Sequence, residues 1–460
     1  MVKFIPFRAV RPACGLAEKV AALPYDVMTS GEARCLSDGN PLSFLHIDRA
    51  EIDLPECTDP YCPEVYARAK ENLDRRIEEG VFIQDKTPRF YAYRLTMDGR
   101  PQTGLVGCAS IDDYEAGLVK KHEMTRAEKE EDRVRHVDTL DANTGPIFLA
   151  CRENEELSSL LAEVTAVSAG NAGSDGSTGS AGNAGSAGKA GSTGNPVNVG
   201  NEGSDGNPGS GGCESLCDFV AEDGVRHEVW ALDESANEAV TAVFNNMDAL
   251  YIADGHHRCA AAAHVGRLRR EQNPGWTGEE EFNFFLAVVF PESQLAIMDY
   301  NRVVADLNGL SDDAFLAKLS ESFEVLPHSG DGPARPGARH EIGMYLGGRW
   351  YLLKARPGIV DESDPVARLD VSILKDNVLT TILGIEDQRK DKRIDFIGGI
   401  RGLGELVRRV ESDMKLAFAM YPTTMDELFF IADSGLIMPP KSTWFEPKLR
   451  SGLFIHKLSD

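Results

Sequence analysis

Residues 167–212 are dominated by Gly, Ser, Ala and Asn, with repeats such as NAGS and GSAG. Such a tract has almost nothing apolar to bury and is predicted to be disordered. As a flexible coil of about 45 residues it would span roughly 35 to 40 Å. Every packed element must then come from residues 1–166 and 213–460. The tract could link two domains or form a loop inserted within one. The insertion is favoured, because the apolar runs Ile147–Ala150 before it and Leu250–Ala253 after it can belong to one sheet. Closing even a long loop adds little, since the entropic penalty grows only logarithmically with length.

The second of those runs opens the most informative stretch, LYIADGHHRCAAAA from Leu250 to Ala263. Leu250–Ala253 is strand-like, and Cys259–Ala263 continues into small, helix-favouring residues. Between them stands Asp254-Gly255-His256-His257-Arg258. A strand turning through Gly into a helix leaves unpaired backbone N–H groups and a partial positive charge above the turn. Arg258 adds a planar cation suited to phosphate, and the imidazoles add donors or a proton carrier. An ordinary polar turn with Asp254 as helix cap would use the same residues. One metal ion rarely takes two adjacent histidines, which point apart. No metal site is assigned.

A second polar concentration runs from Val119 to Pro146. Lys129, Asp132, Arg133 and His136 fall at spacings of three, four and seven, along one helical face. A charged surface helix explains that pattern simply. Yet His122, Glu123, Arg133 and His136 also combine groups for proton transfer and phosphate binding. Near the start, Pro24-Tyr25-Asp26-Val27 sets a rigid bend that can aim the Asp26 carboxylate into a cleft, or serve as a plain turn. Gly398-Gly399 followed by Arg401 could form an anion loop, although a turn accounts for it equally. The tail, MPPKSTWFEPK from Met438 to Lys448, pairs Trp444 and Phe445 with Lys441, Ser442, Thr443 and Lys448. It is predicted to dock on the body and to offer anion ligands.

Periodicity supplies the remaining elements. Residues 1–50 read as strands and turns. Val65, Ala69, Leu73 and Ile77 mark a helix ending at Gly80. Phe90–Met97 and Gln102–Ile111 form a strand pair around Asp98-Gly99, and His340–Tyr345 with Trp350–Lys354 a hairpin through Gly347-Gly348. Phe282–Phe290 is a strongly apolar strand. Leu310–Phe323, Leu369–Leu383 and Leu403–Met414 are helix candidates.

Composition narrows the function classes. A chain of 460 residues with 42% hydrophobic content can build two or three cores. A formal charge of −25, from 48 basic and 73 acidic residues, argues against broad nucleic-acid binding, which needs clustered cations. No apolar run reaches the length of a membrane span, and Pro6, Arg8, Arg11 and Pro12 interrupt the place of a signal-peptide centre, so residence in the cytoplasm is expected. The nine cysteines are scattered. Cys57/Cys62 and Cys213/Cys217 are spaced too loosely for a typical zinc ribbon, and reduced thiols are predicted.

Taken together, IPFRAVRP, PYDV, KKHEMT with its trailing DR, NTGPIF, DGHHR, NRVV and MPPKSTWFEPKLRSGLF resemble the bacterial and archaeal family called domain of unknown function 1015. A Pro-x-Asp element followed by a later DGHxR turn opening a helix is also similar to the ParB/sulfiredoxin superfamily, which includes free-serine kinases. That resemblance implies an α+β fold: a ParB/sulfiredoxin-like mixed-sheet core with a long insertion and a C-terminal α/β portion. The expected division is 1–166 and 213–300 for the two parts of the core, 167–212 for the insertion, and 301–460 for the C-terminal portion. It further implies phosphoryl transfer between a nucleotide and a small hydroxylated metabolite, with serine or O-phosphoserine as lead substrate, ATP or ADP as nucleotide, and Mg²⁺. Asp254, Gly255, His256, His257 and Arg258 would hold phosphate or nucleotide. Asp26, His122 and Glu123 would move the proton, and Arg133 and Lys441 would bind substrate. A phosphoserine phosphatase and a nucleotide-binding switch or adaptor are the alternatives. No nucleic-acid or membrane partner is expected, and the oligomeric state is left open.

Overall fold

The computed structural model describes residues 1–171 and 213–459. They form a mixed α+β protein built on two sheets. The larger has nine strands and is mixed. Its order runs Val119–Lys120, Leu250–Asp254, Ile147–Cys151, Phe284–Pro291, Arg100–Ser110, Tyr91–Met97, Arg226–Ala231, Glu214–Val220, with Phe4–Ile5 also paired to Arg100–Ser110. Leu250–Asp254 is antiparallel to Ile147–Cys151 and parallel to Val119–Lys120. Strands from before and after the low-complexity tract are therefore direct neighbours. The tract itself lies largely outside the described residues. The helix Glu155–Asn171 continues past the expected boundary at 167.

The second sheet has six strands, all antiparallel, in the order Phe323–Pro327, Arg349–Ala355, Glu341–Leu346, Leu416–Ala419, Tyr300–Val304, Ile394–Gly398. One continuous apolar core joins the sheets: Phe148, Tyr251 and Phe290 from the first, Val304, Met344 and Phe418 from the second, and Phe445 and Phe454 from the tail. The tail is tied down at several points. Trp444–Phe445 pairs with Ile297–Met298, His456–Lys457 with Ala142–Asn143, and Ser451 and Ile455 bridge to Ala22 and Val10.

Most predicted elements are present within a residue or two. The helix Pro63–Glu78 buries Val65, Ala69 and Leu73, and Gly80 follows it with φ 73°. Three expectations need correction. Residues 1–50 contain the helices Ala17–Val20, Ser30–Ser37 and Leu45–Asp48; Thr29 and Glu32 form a capping box that starts the second. The helix expected over Leu369–Leu383 is α-helical only over Asp370–Leu374 and widens into a π-helical stretch, Lys375–Thr380. The helix Ala127–Leu140 does not present its charged stripe to solvent. Asp132, Arg133 and His136 are buried, because that face packs on Pro63–Glu78 and on His256–Gln272.

Candidate functional site

At the end of strand Leu250–Asp254 the chain turns through Gly255, at φ 91°, into the helix His256–Gln272. Gly255 is needed twice over: its φ is left-handed, and a Cβ there would stand 3.0 Å from Arg258 Nη2. Arg258 thus folds back over its own turn. Asp254 does not cap the helix, whose first N–H groups receive no side-chain cap.

Above this turn opens a cavity of about 360 Å³. One wall carries Asp26, Glu123, Asp254 and His256; the opposite wall carries Asp395, Phe396 and Arg401 from the second sheet and its following turn; the tail supplies Lys441, Trp444 and Lys448. Five regions far apart in sequence thus meet. Lys448 Nζ donates to Asp254 Oδ2 at 3.4 Å and lies 4.7 Å from the Trp444 ring centre. Gly398 lets Trp444 approach the strand, since a Cβ there would come within 2.6 Å of the indole.

The predicted site residues divide between this cleft and the space behind it. Asp26, Glu123, Asp254, His256 and Lys441 line the cleft. His122 is buried behind His256, the rings packed edge-to-face at 4.6 Å, with its Nε2 3.2 Å from Thr443 Oγ1. His257 accepts the Arg126 N–H at Nε2, 3.0 Å away. Arg258 and Arg133 face a smaller hollow on the inner side. Arg258 Nη1 donates to the Pro146 carbonyl at 2.5 Å; Arg133 is held by Asp132 and stacks 3.9 Å over Tyr25.

A family model described as "Protein of unknown function (DUF1015)" matches residues 4–177 and 210–372. The chain belongs to the DUF1015 family. The match covers the DGHHR turn and the 119–146 segment, while strand Ile394–Gly398 and the tail lie beyond the matched residues. No curated protein matches the chain. Among solved structures, it is similar to a free serine kinase in complex with AMP, at 13% identity and TM-score 0.33, over 75% of this chain and 90% of that one. It is likewise similar to a conserved hypothetical protein from Pyrococcus furiosus, at 11% and 0.32 over 75% and 93%, and to SbnI with C-terminal truncation from Staphylococcus aureus, at 10% and 0.33 over 74% and 82%.

In this DUF1015 chain the ionisable groups of the cleft are pushed in different directions. Burial raises the Glu123 carboxyl above its ordinary range, with Lys441 opposing. Burial also works to raise Asp254, but Lys448 first and Arg258 next outweigh it, and the group is held below the ordinary carboxylate range. Burial lowers His122 to about 4 and takes His256 well below the usual imidazole range, so both rings are neutral near pH 7. Lys441 loses hydration by burial, yet Tyr300 and Glu123 raise it overall, keeping the ammonium charged. His256 Nε2 is buried and has no partner among the described residues.

Among the described residues no group of three or more His, Cys, Asp or Glu side chains is placed to hold a metal ion, no helix is long and apolar enough to cross a membrane, and the nine cysteines are unlinked. Sequence reasoning did not select Tyr300, Asp395 or Phe396 for the cleft, and it marked Arg401 only as following the Gly398-Gly399 pair of a possible anion loop, because nothing local in a strand shows which sheet will face it.

Proposed function

We propose that this protein is a nucleotide-dependent phosphotransferase with a ParB/sulfiredoxin-like core, moving a phosphoryl group between ATP or ADP and the hydroxyl of a small metabolite, with serine or O-phosphoserine as the lead substrate. The observation that carries the reading is the pairing of Glu123 and Asp254. Two carboxyls with opposed pKa shifts share a cleft with Lys441 and Lys448, at the uncapped start of a long helix. Groups whose environments drive their proton affinities apart are suited to separate acid–base roles. The serine assignment rests on the resemblance of the Pro-x-Asp and DGHxR elements.

The roles follow from the chemistry of each group. The helix N-terminus, His256 Nε2–H, Lys441 and Lys448 neutralise phosphate oxygens, the largest requirement of phosphoryl transfer. Glu123 takes the hydroxyl proton as that oxygen bonds to phosphorus and the bond to the departing nucleotide oxygen breaks. Asp254, fixed as an anion, orients Lys448. Asp26 lies on the same wall and can hold the hydroxyl. His122, neutral and enclosed, positions His256. Mg²⁺, when it accompanies the nucleotide, would add charge neutralisation of the phosphates; Asp26 and Asp254 are carboxylates available to it, and such ions commonly take only one or two from protein.

Incubation with O-phosphoserine and ADP, AMP or no nucleotide tests the reading. Nucleotide-dependent loss of phosphoserine, with formation of the higher nucleotide, is expected. Inorganic phosphate released at full rate without nucleotide would replace the transferase reading with a phosphatase. Tight nucleotide binding without turnover would make the protein a switch.

A further inference from the structure

The NRVV segment, Asn301-Arg302-Val303-Val304, lies in strand Tyr300–Val304, between strands Ile394–Gly398 and Leu416–Ala419 of the six-stranded sheet. All four residues are 0% exposed. Asn301 is satisfied at both ends of its amide: Oδ1 accepts the Met420 N–H at 2.9 Å and Nδ2 donates to Asp299 Oδ2 at 2.5 Å. Arg302 is left partly open. Its guanidinium donates from Nη1 to the Tyr300 carbonyl and from Nη2 to the Lys441 carbonyl at 3.0 Å, and lies 5.5 Å from the Phe396 ring centre, while its buried Nε has no acceptor among the described residues. No carboxylate among the described residues pairs with it. Burial lowers its pKa to about 10, so it remains a cation near pH 7.

A buried cation without a counter-charge is a costly way to fill space, and Met or Leu would pack the same strand without that desolvation. What the guanidinium adds is a rigid fork that binds two carbonyls at once, which an ammonium on a flexible stem matches poorly. The three residues that the guanidinium meets, Tyr300, Phe396 and Lys441, all line the cleft. Lys441 is the one that most needs holding. Its φ of 61° lies in the left-handed region, which a residue with a side chain occupies only where surrounding bonds enforce it. Arg302 holds the Lys441 carbonyl, and Thr423 Oγ1 donates to that of Ser442 at 3.0 Å. The Lys441 ammonium then stands 5.5 Å from the Tyr300 ring centre, within electrostatic reach of Glu123.

We propose that Arg302 is a positioning residue that acts through Lys441: by holding the Lys441 carbonyl it fixes the left-handed turn and keeps the ammonium beside Tyr300 and near Glu123, ready for a phosphate oxygen. The NRVV segment thereby serves the site without touching the ligand. This rests on the phosphotransferase reading for what Lys441 binds, though not for the link from Arg302 to Lys441. The link has an electrostatic consequence. Since Lys441 opposes the rise of the Glu123 carboxyl, loosening the lysine lets that carboxyl rise further.

Competitive acylation of the full chain, with the labelling of each lysine read by mass spectrometry, tests the link in wild type, Arg302→Lys and Arg302→Met; calorimetry with ADP tests its consequence. Lys441 should be labelled about tenfold faster in both variants, because leaving Tyr300 and Glu123 removes the groups that raise its proton affinity. Arg302→Lys should weaken ADP binding about tenfold, and in a Lys441→Met background the same change should alter it less than about twofold, since the two residues act as one unit. Val303→Ala, a cavity in the same strand, should lower the melting temperature and leave both readouts unchanged. In an active enzyme the acid limb of kcat/KM should move to higher pH in Arg302→Lys and in Lys441→Met alike. Unaltered Lys441 labelling in a folded Arg302 variant, or losses of ADP binding that simply add in the double variant, would overturn the assignment. If neither variant folds, the wild-type chain decides: Lys441 labelled within about tenfold of the exposed Lys390 overturns it, and slower labelling supports it. Absence of ADP binding to the wild-type chain would remove the phosphotransferase, with Lys441 labelling still deciding the role of Arg302.

Discussion

The two walls of the cleft are built on opposite principles. On the wall from the nine-stranded sheet, Glu123, Asp254 and His256 are shifted in proton affinity, and the buried His256 Nε2 has no partner among the described residues. On the wall from the six-stranded sheet, Arg409 is saturated by Asp395 at 2.8 Å and by Asp413 at 2.8 Å, both carboxylates about half-exposed. Enclosure without full pairing stores electrostatic potential for a ligand; saturated surface pairs do not. In the proposed reading the first wall is the place for chemistry, and the second frames it.

The largest effect that separates the walls should come from Glu123→Gln. Removing a proton acceptor while keeping its shape is expected to lower kcat by about 10² to 10⁴ with nucleotide affinity little changed; a loss under tenfold in steady-state assays would take the base away from this wall. Lys441→Ala should come next, weakening phosphorylated-ligand binding by roughly 10- to 100-fold in titrations while the protein remains folded.

Acid should also strike the first wall harder. His122 has its folded pKa lowered to about 4 from an ordinary 6.5, so the unfolded chain binds the proton more readily. The stability it contributes is complete above pH 6.5 and is lost as pH falls towards 4. His227, lowered to about 3 by burial and by Arg450, acts in the same sense. Thermal unfolding followed between pH 7 and 4.5 should show a falling melting temperature, and His122→Asn should flatten that dependence. Arg409→Ala, on the second wall, should change stability by no more than about 1 kcal/mol, since its partners are exposed; a larger shift in denaturant titration would mean the framing wall is more deeply coupled to the core. Smallest of all, deletion of residues 172–210 should leave turnover near normal, as expected for a tract inserted between paired strands.

Much of the local structure was legible from periodicity and punctuation. The strand–turn–helix at Leu250–Gln272 is specified by an apolar run, one Gly and an alanine series, and the hairpin at Asp98-Gly99 by its turn residues. The helix over Ala127–Leu140 was equally legible as a helix, and its orientation was not. A stripe of Asp132, Arg133 and His136 reads as solvated until Tyr25, Tyr66 and Asp48 are brought against it from distant segments. The three short helices before residue 50 escaped because they are too brief for a periodic signal, although Thr29-x-x-Glu32 did announce one of them.

The sequence by itself determined that a strand would turn through Gly255 into a helix at Leu250–Gln272, because backbone geometry and nearest-neighbour chemistry settle such a motif. Only the tertiary structure decided which way each side chain of that turn faces, sending Asp254 and His256 to the cleft and Arg258 to the smaller hollow behind it. It also decided which acid is basic enough to take a proton. Proton affinity depends on burial and on charges arriving from the tail, Lys448 beside Asp254 and Lys441 near Glu123, and those distances are set by packing across nearly two hundred residues or more, beyond the reach of local pattern.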